Sequence, residues 1–366
     1  MDSQSKKVMA IGTRFLLVML TGAALLLASG CTAASPIGNN APRGAAAAVL
    51  ADGGGNAAAG FAAPELLGFN LRPTWGAEAA PQHLRGNNGG NCASVLPSGM
   101  IPGKTAIKTI TSGGMKRTYR LHLPPQAAGG SRMPLVLNFH GRSGTGIDQE
   151  ITSGLVPVSD REGFILVSPD GTGTPMGWSA GATEPNNIDD VRFVSDILDS
   201  LSKDLCVDSA RVYATGFSNG AFMTSRLACE MPDRIAAVAV VGGVDFPSAS
   251  CKSTIPVLAI HGTADDVVPI DGGIVRAWYY RGANISIDEW AASNGCRPLT
   301  SEAELEPDVT LDAYEDCVAP TFIVRVKGAT HVWPGAPGYA PGTPGTKFSA
   351  GEMVWKFLSQ RTVSIQ

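Results

Sequence analysis

The stretch that most constrains this chain is Arg211-Val212-Tyr213-Ala214-Thr215-Gly216-Phe217-Ser218-Asn219-Gly220. Residues of strand character run into Gly-x-Ser-x-Gly, and Ala221 to Cys229 then reads as a helix. A serine in that context is predicted to sit in a sharp, strained turn with its hydroxyl exposed. Gly216 and Gly220 are expected to be small because strand and helix backbones crowd there. The free N–H groups of the helix N-terminus would face the same point, where a developing negative charge is stabilised. The pentapeptide alone is weak, since an ordinary tight turn can carry it. The flanking strand and helix give it meaning.

The surrounding chain repeats this alternation. Thr105 to Ile110 and Lys116 to Leu123 read as strands joined across Ser112-Gly113-Gly114. Leu135 to Phe139 reads as a strand buried on both faces of a sheet, Phe164 to Ser168 as another buried strand, and Ile235 to Val241, Pro256 to Ile260 and Thr321 to Val326 as further strands. Asp189-Asp190 precede a helical pattern from Val191 to Leu201, and either aspartate fits the N-cap. Ser349 to Ser359 reads as a closing helix. Strands alternating with helices predict an α/β fold with a mostly parallel, doubly wound sheet. In such sheets ligands sit beyond the carboxyl ends of the strands, and the polar residues singled out below fall at those ends.

Composition matters at the N-terminus. Lys6, Lys7 and Arg14 precede a short apolar run, Phe15 to Leu27, which ends in Leu27-Ala28-Ser29-Gly30-Cys31. Residues 1–30 therefore read as an export signal, and the residues before Cys31 resemble a bacterial lipobox, which implies a lipoprotein with Cys31 as the lipidated residue; plain secretion and a retained anchor are the alternatives. Residues 31–90 are rich in Ala, Gly, Asn and Pro with little periodicity, as expected of a flexible tether. Residues 91–366 form the expected catalytic domain. The implied location is extracellular or at the cell envelope, with membrane contact only through the lipid. The net charge of −4 and the lack of a basic patch argue against a nucleic-acid partner.

Of seven cysteines, setting Cys31 aside leaves an even number: Cys92, Cys206, Cys229, Cys251, Cys296 and Cys317. That suits disulfides in an oxidising compartment. Cys296 with Cys317 is the preferred pair, because both flank one acidic loop. No Cys/His spacing suggests a metal site, and no cofactor is expected.

A serine hydroxyl needs a base at neutral pH. Of the five histidines, His83 lies in the tether and His122 inside a strand. His140 and His261 each precede a glycine as a strand ends and read as structural. His331, between the last strand and the last helix, remains as general base. Asp265, in His261-Gly262-Thr263-Ala264-Asp265, is the acid expected to orient it, with Asp266, Asp271 and Asp245 as competitors. The oxyanion should meet the backbone N–H of Asn219 and one from the loop after His140-Gly141: Arg142, with Ser143 close behind.

Taken together, Pro134-Leu135-Val136 with His140-Gly141, Asp189-Asp190-Val191, Gly216-Phe217-Ser218-Asn219-Gly220, His261 to Asp265 with Val268-Pro269, and His331-Val332-Trp333-Pro334-Gly335 resemble the secreted esterases that include polyhydroxybutyrate depolymerases and feruloyl esterases. The resemblance covers roughly Cys92 to Leu358. It implies an α/β-hydrolase fold, with the order Ser218, Asp265, His331 of that fold. It also implies metal-free hydrolysis of carboxylic esters, in a polyester oligomer or an esterified plant polysaccharide. Trp178 and Trp333 are implied as lining the substrate pocket. Many relatives carry further Gly or a Cys after His-Gly, where this chain has Arg142-Ser143. Two rival functions share these features: a serine peptidase of the same fold, and a surface-binding module with an inactive triad.

Overall fold

A computed structural model describes residues 96–363, apart from 181–187, 248–250, 252, 276–277, 299 and 339–341. All of them belong to the unit Ala63–Gln366. The expected signal segment, the tether, Cys31 and the domain start near residue 91 lie outside the described residues.

Among the described residues the first elements form a hairpin, β1 (Lys104–Ser112) and β2 (Met115–Leu123). Its two-residue turn, Gly113-Gly114, has φ of 55° and 81°. Positive φ at both central positions is the geometry whose twist matches the flanking strands, and glycine enters it without a steric cost. Next come β3 (Met133–Phe139), α1 (Gly146–Ser153), α2 (Leu155–Glu162), β4 (Ile165–Pro169), α3 (Asp190–Asp204) and β5 (Val207–Phe217). They are followed by α4 (Asn219–Glu230), β6 (Ala237–Val241), β7 (Val257–Gly262), and the short pair β8 (Gly273–Val275) and β9 (Trp278–Tyr280). The chain closes with α5 (Ala283–Ser293), β10 (Thr300–Glu306), β11 (Val309–Tyr314), β12 (Thr321–Val326) and α6 (Ala350–Leu358).

Among the described residues ten strands form one sheet in the order β1-β2-β4-β3-β5-β6-β7-β12-β11-β10. From β4 through β12 neighbouring strands run parallel. Antiparallel strands extend the sheet at both edges. Residues along β3 alternate between two cores. Leu135, Leu137 and Phe139 pack in one cluster with α3, α4 and α5, while Val136 packs in the other with α2 and α6. That period-two alternation, apolar on both sides but for the buried Asn138, explains why the central strands read as near-continuous apolar runs. The arrangement is the α/β-hydrolase fold, and β5 at its centre delivers Ser218.

One expectation needs correction. The acidic stretch between Cys296 and Cys317 is not a loop but the β10–β11 hairpin, which widens the sheet. Glu302 and Glu304 point outward while Ala303 and Leu305 are partly covered, and Asp308 makes the turn at φ 67°. The preferred disulfide forms at the base of this hairpin, Cys296–Cys317. Cys229–Cys251 ties the end of α4 to the segment before β7, and Cys206 is disulfide-bonded as well.

Candidate active site

Ser218 lies between β5 and α4 with φ 55° and ψ −119°, a positive φ rare for a side chain of its kind. Such conformations cost on the order of 1–3 kcal/mol and persist only where the surroundings enforce them. Here the Ser218 N–H donates to Val241 O at 2.9 Å. A Cβ on Gly216 would stand 2.3 Å from Gly220 O, and one on Gly220 would stand 2.2 Å from Phe139 O. Both glycines are thus obligatory, for the crowding reason read from the sequence. Ser218 occupies the N-cap position of α4 but makes no side-chain capping bond, so its hydroxyl is not spent on its own helix.

His331 follows β12. Its Nδ1 lies 2.8 Å from Asp265 Oδ2. Its ring stacks on that of Phe217, with centroids 4.8 Å apart and planes 30° apart. Phe217 immediately precedes Ser218, so the packing sets the imidazole beside the elbow. Gly242, after β6, leaves room for both rings: a Cβ there would lie 2.8 Å from the Phe217 ring and 3.5 Å from His331 Cε1.

Asp265 is buried. Its Oδ1 accepts the N–H groups of Val267 and Val268 at 3.0 and 2.7 Å. Burial opposes its ionisation, but the His331 hydrogen bond and charge and the Val268 N–H outweigh that, and hold the carboxyl below its ordinary range. A carboxylate facing Nδ1 places the imidazole proton there and leaves Nε2 as the basic nitrogen. His261 reinforces the turn. Its Nε2–H donates to Val268 O at 2.8 Å and lies 3.4 Å from Asp265 Oδ2. Desolvation lowers its pKa and favours the neutral ring.

The competing acids stand elsewhere. Asp266 is exposed, and Asp271 accepts from Asn284 Nδ2 at 2.8 Å. Asp245 lies 3.8 Å from Arg281. Burial pushes its carboxyl up from 3.8 to about 6, against the pull of Arg281 and with Glu289 adding repulsion. The folded state therefore holds this proton more tightly than the unfolded chain, and stability falls as pH rises from about 4 through about 6. We expect Asp245→Asn to be the more stable protein at pH 8, by up to about 3 kcal/mol, with the difference vanishing near pH 4. Thermal melts at the two pH values check this; a variant no more stable than the parent at pH 8 contradicts it.

The predicted oxyanion residues border the same serine. Asn219 is the first residue of α4. A Cβ on Gly141 would lie 3.4 Å from Ser218 Cβ, so the loop carrying Arg142 passes directly over the elbow. The Ser143 N–H is committed to Met176 O at 2.7 Å. Among the described residues no cluster of three or more His, Cys, Asp or Glu gathers as metal ligands.

The two tryptophans do not line an open pocket. Trp178 is 2% exposed and packs edge-on against Phe139 and obliquely on His140. Its Nε1–H donates to His140 O at 2.8 Å. Trp333 is 1% exposed, within the core cluster on the α6 side of the sheet. Indole rings carry large apolar area, and here that area is used in packing.

Sequence reasoning missed what holds the Trp178 loop. The Asn219 side chain clamps it, its Oδ1 accepting from Trp178 N at 2.7 Å and its Nδ2 donating to Trp178 O at 3.2 Å. Asp189 is the N-cap of α3, accepting from Arg192 N. Asp190 is not a cap. It is fully buried, paired with Arg117 at 2.9 Å, and accepts from Ser179 N at 2.8 Å. Arg117 also donates to Asp170 O and lies over the Phe193 ring. The adjacent Asp189-Asp190 pair was the only sequence signal for this anchor.

Comparison with known proteins agrees with this architecture. A model of the family described as "Esterase PHB depolymerase" matches residues 117–302. Feruloyl esterase C of Emericella nidulans is 31% identical over 206 residues, covering 54% of this chain and 70% of that protein. Feruloyl esterase B of Piromyces equi is 29% identical over 265 residues, covering 67% of this chain and 45% of that protein. The chain spans about half the length, or less, of several curated relatives that it matches. Acetyl xylan esterase from Aspergillus awamori superposes with a TM-score of 0.54 at 16% identity, over 69% of this chain and 99% of that one, a likeness of fold. Because the family match takes in just over half of the chain, including the elbow and the Asp265 turn, the chain belongs to the PHB depolymerase esterase family.

Proposed function

We propose that this chain is a serine esterase that hydrolyses carboxylic esters through Ser218, His331 and Asp265. The observation that carries the reading is the His331–Asp265 hydrogen bond of 2.8 Å, on an imidazole stacked against the residue that precedes Ser218. In this reading His331 Nε2 takes the Ser218 proton as Oγ attacks the ester carbonyl. The imidazolium that forms is stabilised by Asp265, already ionised and held by two backbone N–H groups. The backbone amides of Asn219 and Arg142 receive the oxyanion. His331 then returns the proton to the leaving alcohol, the acyl group stays on Ser218, and water repeats the cycle.

The names of the relatives suggest the substrate class: feruloyl or acetyl groups on plant polysaccharide, or hydroxyalkanoate oligomers. Residues 1–30 are proposed to direct export, Cys31 to carry a lipid, and residues 31–90 to tether the catalytic domain of residues 91–366 at the cell envelope or outside the cell. The test is a panel run on the full chain: a feruloyl ester, acetylated xylan, a hydroxybutyrate trimer and a peptide amide. Turnover of at least one ester with none of the amide is expected. Cleavage of the amide alone would turn the reading to a peptidase, and no turnover or fluorophosphonate labelling at all would turn it to an inactive binding module.

A further inference from the structure

We infer that His261, a buried histidine outside the triad, is the positioning residue of the acid: its neutral ring holds the Asp265 carboxylate in bonding register with His331 without cancelling the carboxylate's charge. The inference rests on the esterase reading above and deepens it.

His261 is the last residue but one of β7 and is 1% exposed. Its Nε2 lies 2.8 Å from Val268 O. A carbonyl can only accept, so Nε2 carries the proton and Nδ1 is the bare nitrogen. Nδ1 makes no hydrogen bond among the described residues, so the ring works through Nε2 alone. Desolvation lowers the pKa of the ring and favours the same neutral form.

That one N–H closes a circuit of contacts around Asp265. Val268 gives its carbonyl to His261 and its N–H to Asp265 Oδ1, the latter at 2.7 Å. The Val267 N–H reaches the same Oδ1 at 3.0 Å. The other oxygen, Oδ2, stands 2.8 Å from His331 Nδ1 and 3.4 Å from His261 Nε2. The turn is also fastened to the segment that leads to His331. Thr263 N–H donates to Val326 O at 3.0 Å, and Ala264 N–H to Ala329 O at 2.9 Å. These backbone bonds join the acid segment to the base segment, and His261 ties the 265–268 turn back to its own strand.

An arginine or lysine could also hold a buried carboxylate. Such a cation would compete with the imidazolium that forms on His331 during the reaction, and so would a protonated His261. A neutral N–H orients the acid and leaves its full charge facing His331. Each N–H directed at a carboxylate also lowers its basicity, which keeps the shared proton on His331 Nδ1.

Two substitutions separate this role from simple packing. In His261→Gln the terminal Nε2 reaches the place of the ring Nε2 and keeps the bond to Val268 O. His261→Met has similar length and apolar bulk and donates nothing. On a p-nitrophenyl ester we expect kcat to fall about 30-fold in the Met variant, a part of the roughly 10⁴-fold carried by the acid itself, with KM changed by less than about threefold. The Gln variant should stay within about threefold of the parent. Because the effect passes through Asp265, the Met substitution should cost less than about twofold when made on Asp265→Asn. The downfield proton resonance of His331 Nδ1–H should persist in the Gln variant and be lost in the Met variant.

Equal losses in the Gln and Met variants, a loss in KM rather than kcat, or the full Met loss repeated on Asp265→Asn overturns the assignment. Should the Met variant fail to fold, ¹⁵N NMR of the histidine-labelled parent decides. A neutral His261 protonated at Nε2 supports the inference, and an Nδ1–H tautomer or an imidazolium at neutral pH rejects it. The esterase reading fails separately, if Ser218→Ala and Asp265→Asn both keep the parent's turnover, and the inference then falls with it.

Discussion

Ser218→Ala is expected to lower kcat by roughly 10⁴- to 10⁶-fold while leaving the fold and KM nearly intact. The hydroxyl makes no capping bond to its helix, so its removal costs little stability, and an alanine would be held in the same positive-φ turn by Gly216, Gly220 and Val241 O. Turnover of a p-nitrophenyl ester, read beside covalent labelling by a fluorophosphonate, checks the prediction. The parent should label stoichiometrically and the variant not at all. A variant that still turns over ester within tenfold of the parent removes Ser218 from the mechanism.

Asp265→Asn should be nearly as severe, at about 10⁴-fold in kcat. The asparagine Oδ1 can keep both bonds from Val267 and Val268 N–H, so the turn stays in place. Its Nδ2 then presents a proton to His331 Nδ1, where the parent presents a carboxylate at 2.8 Å. The imidazole is driven to carry its proton on Nε2, the position that has to accept from Ser218. Stability has a linked signature. The folded-state carboxyl of Asp265 is held below its ordinary value, so its stabilising contribution is present above the ordinary carboxylate range and is lost as pH falls through the lowered value. The asparagine variant should lack that acid-side loss. Activity of Asp265→Asn within tenfold of the parent, or an Asp266→Asn variant with the larger defect, would assign the acid elsewhere.

The parallel strands were legible because burial on both faces leaves apolar runs, as in Leu135 to Leu137 and Val238 to Val241. The hairpin turn and the elbow were legible because each demands glycine at defined offsets. Other elements hid for physical reasons. Helix α1 inverts the usual pattern: Ile147 and Ile151 are 47% and 57% exposed, while Gln149 and Glu150 are buried. Gln149 donates to Asn138 Oδ1, and Glu150 accepts from Arg120 through one of its two oxygens. No apolar periodicity could have revealed such a helix. The β10–β11 hairpin hid because its edge strand shows water a row of glutamates, which reads as a loop.

What the sequence determined by itself is local. A strand, a strained serine turn and a helix follow from residues 211–229, and the chain order of serine, acid and histidine follows from where apolar runs end. The tertiary structure decided every question that depends on two side chains meeting through space. It chose Asp265 over Asp266, Asp271 and Asp245 as the partner of a histidine 66 residues away. It committed the Ser143 amide elsewhere, and it drew Trp178 and Trp333 into the core. A hydrogen bond requires a separation near 3 Å and a narrow range of angles, and spacing along a chain carries neither.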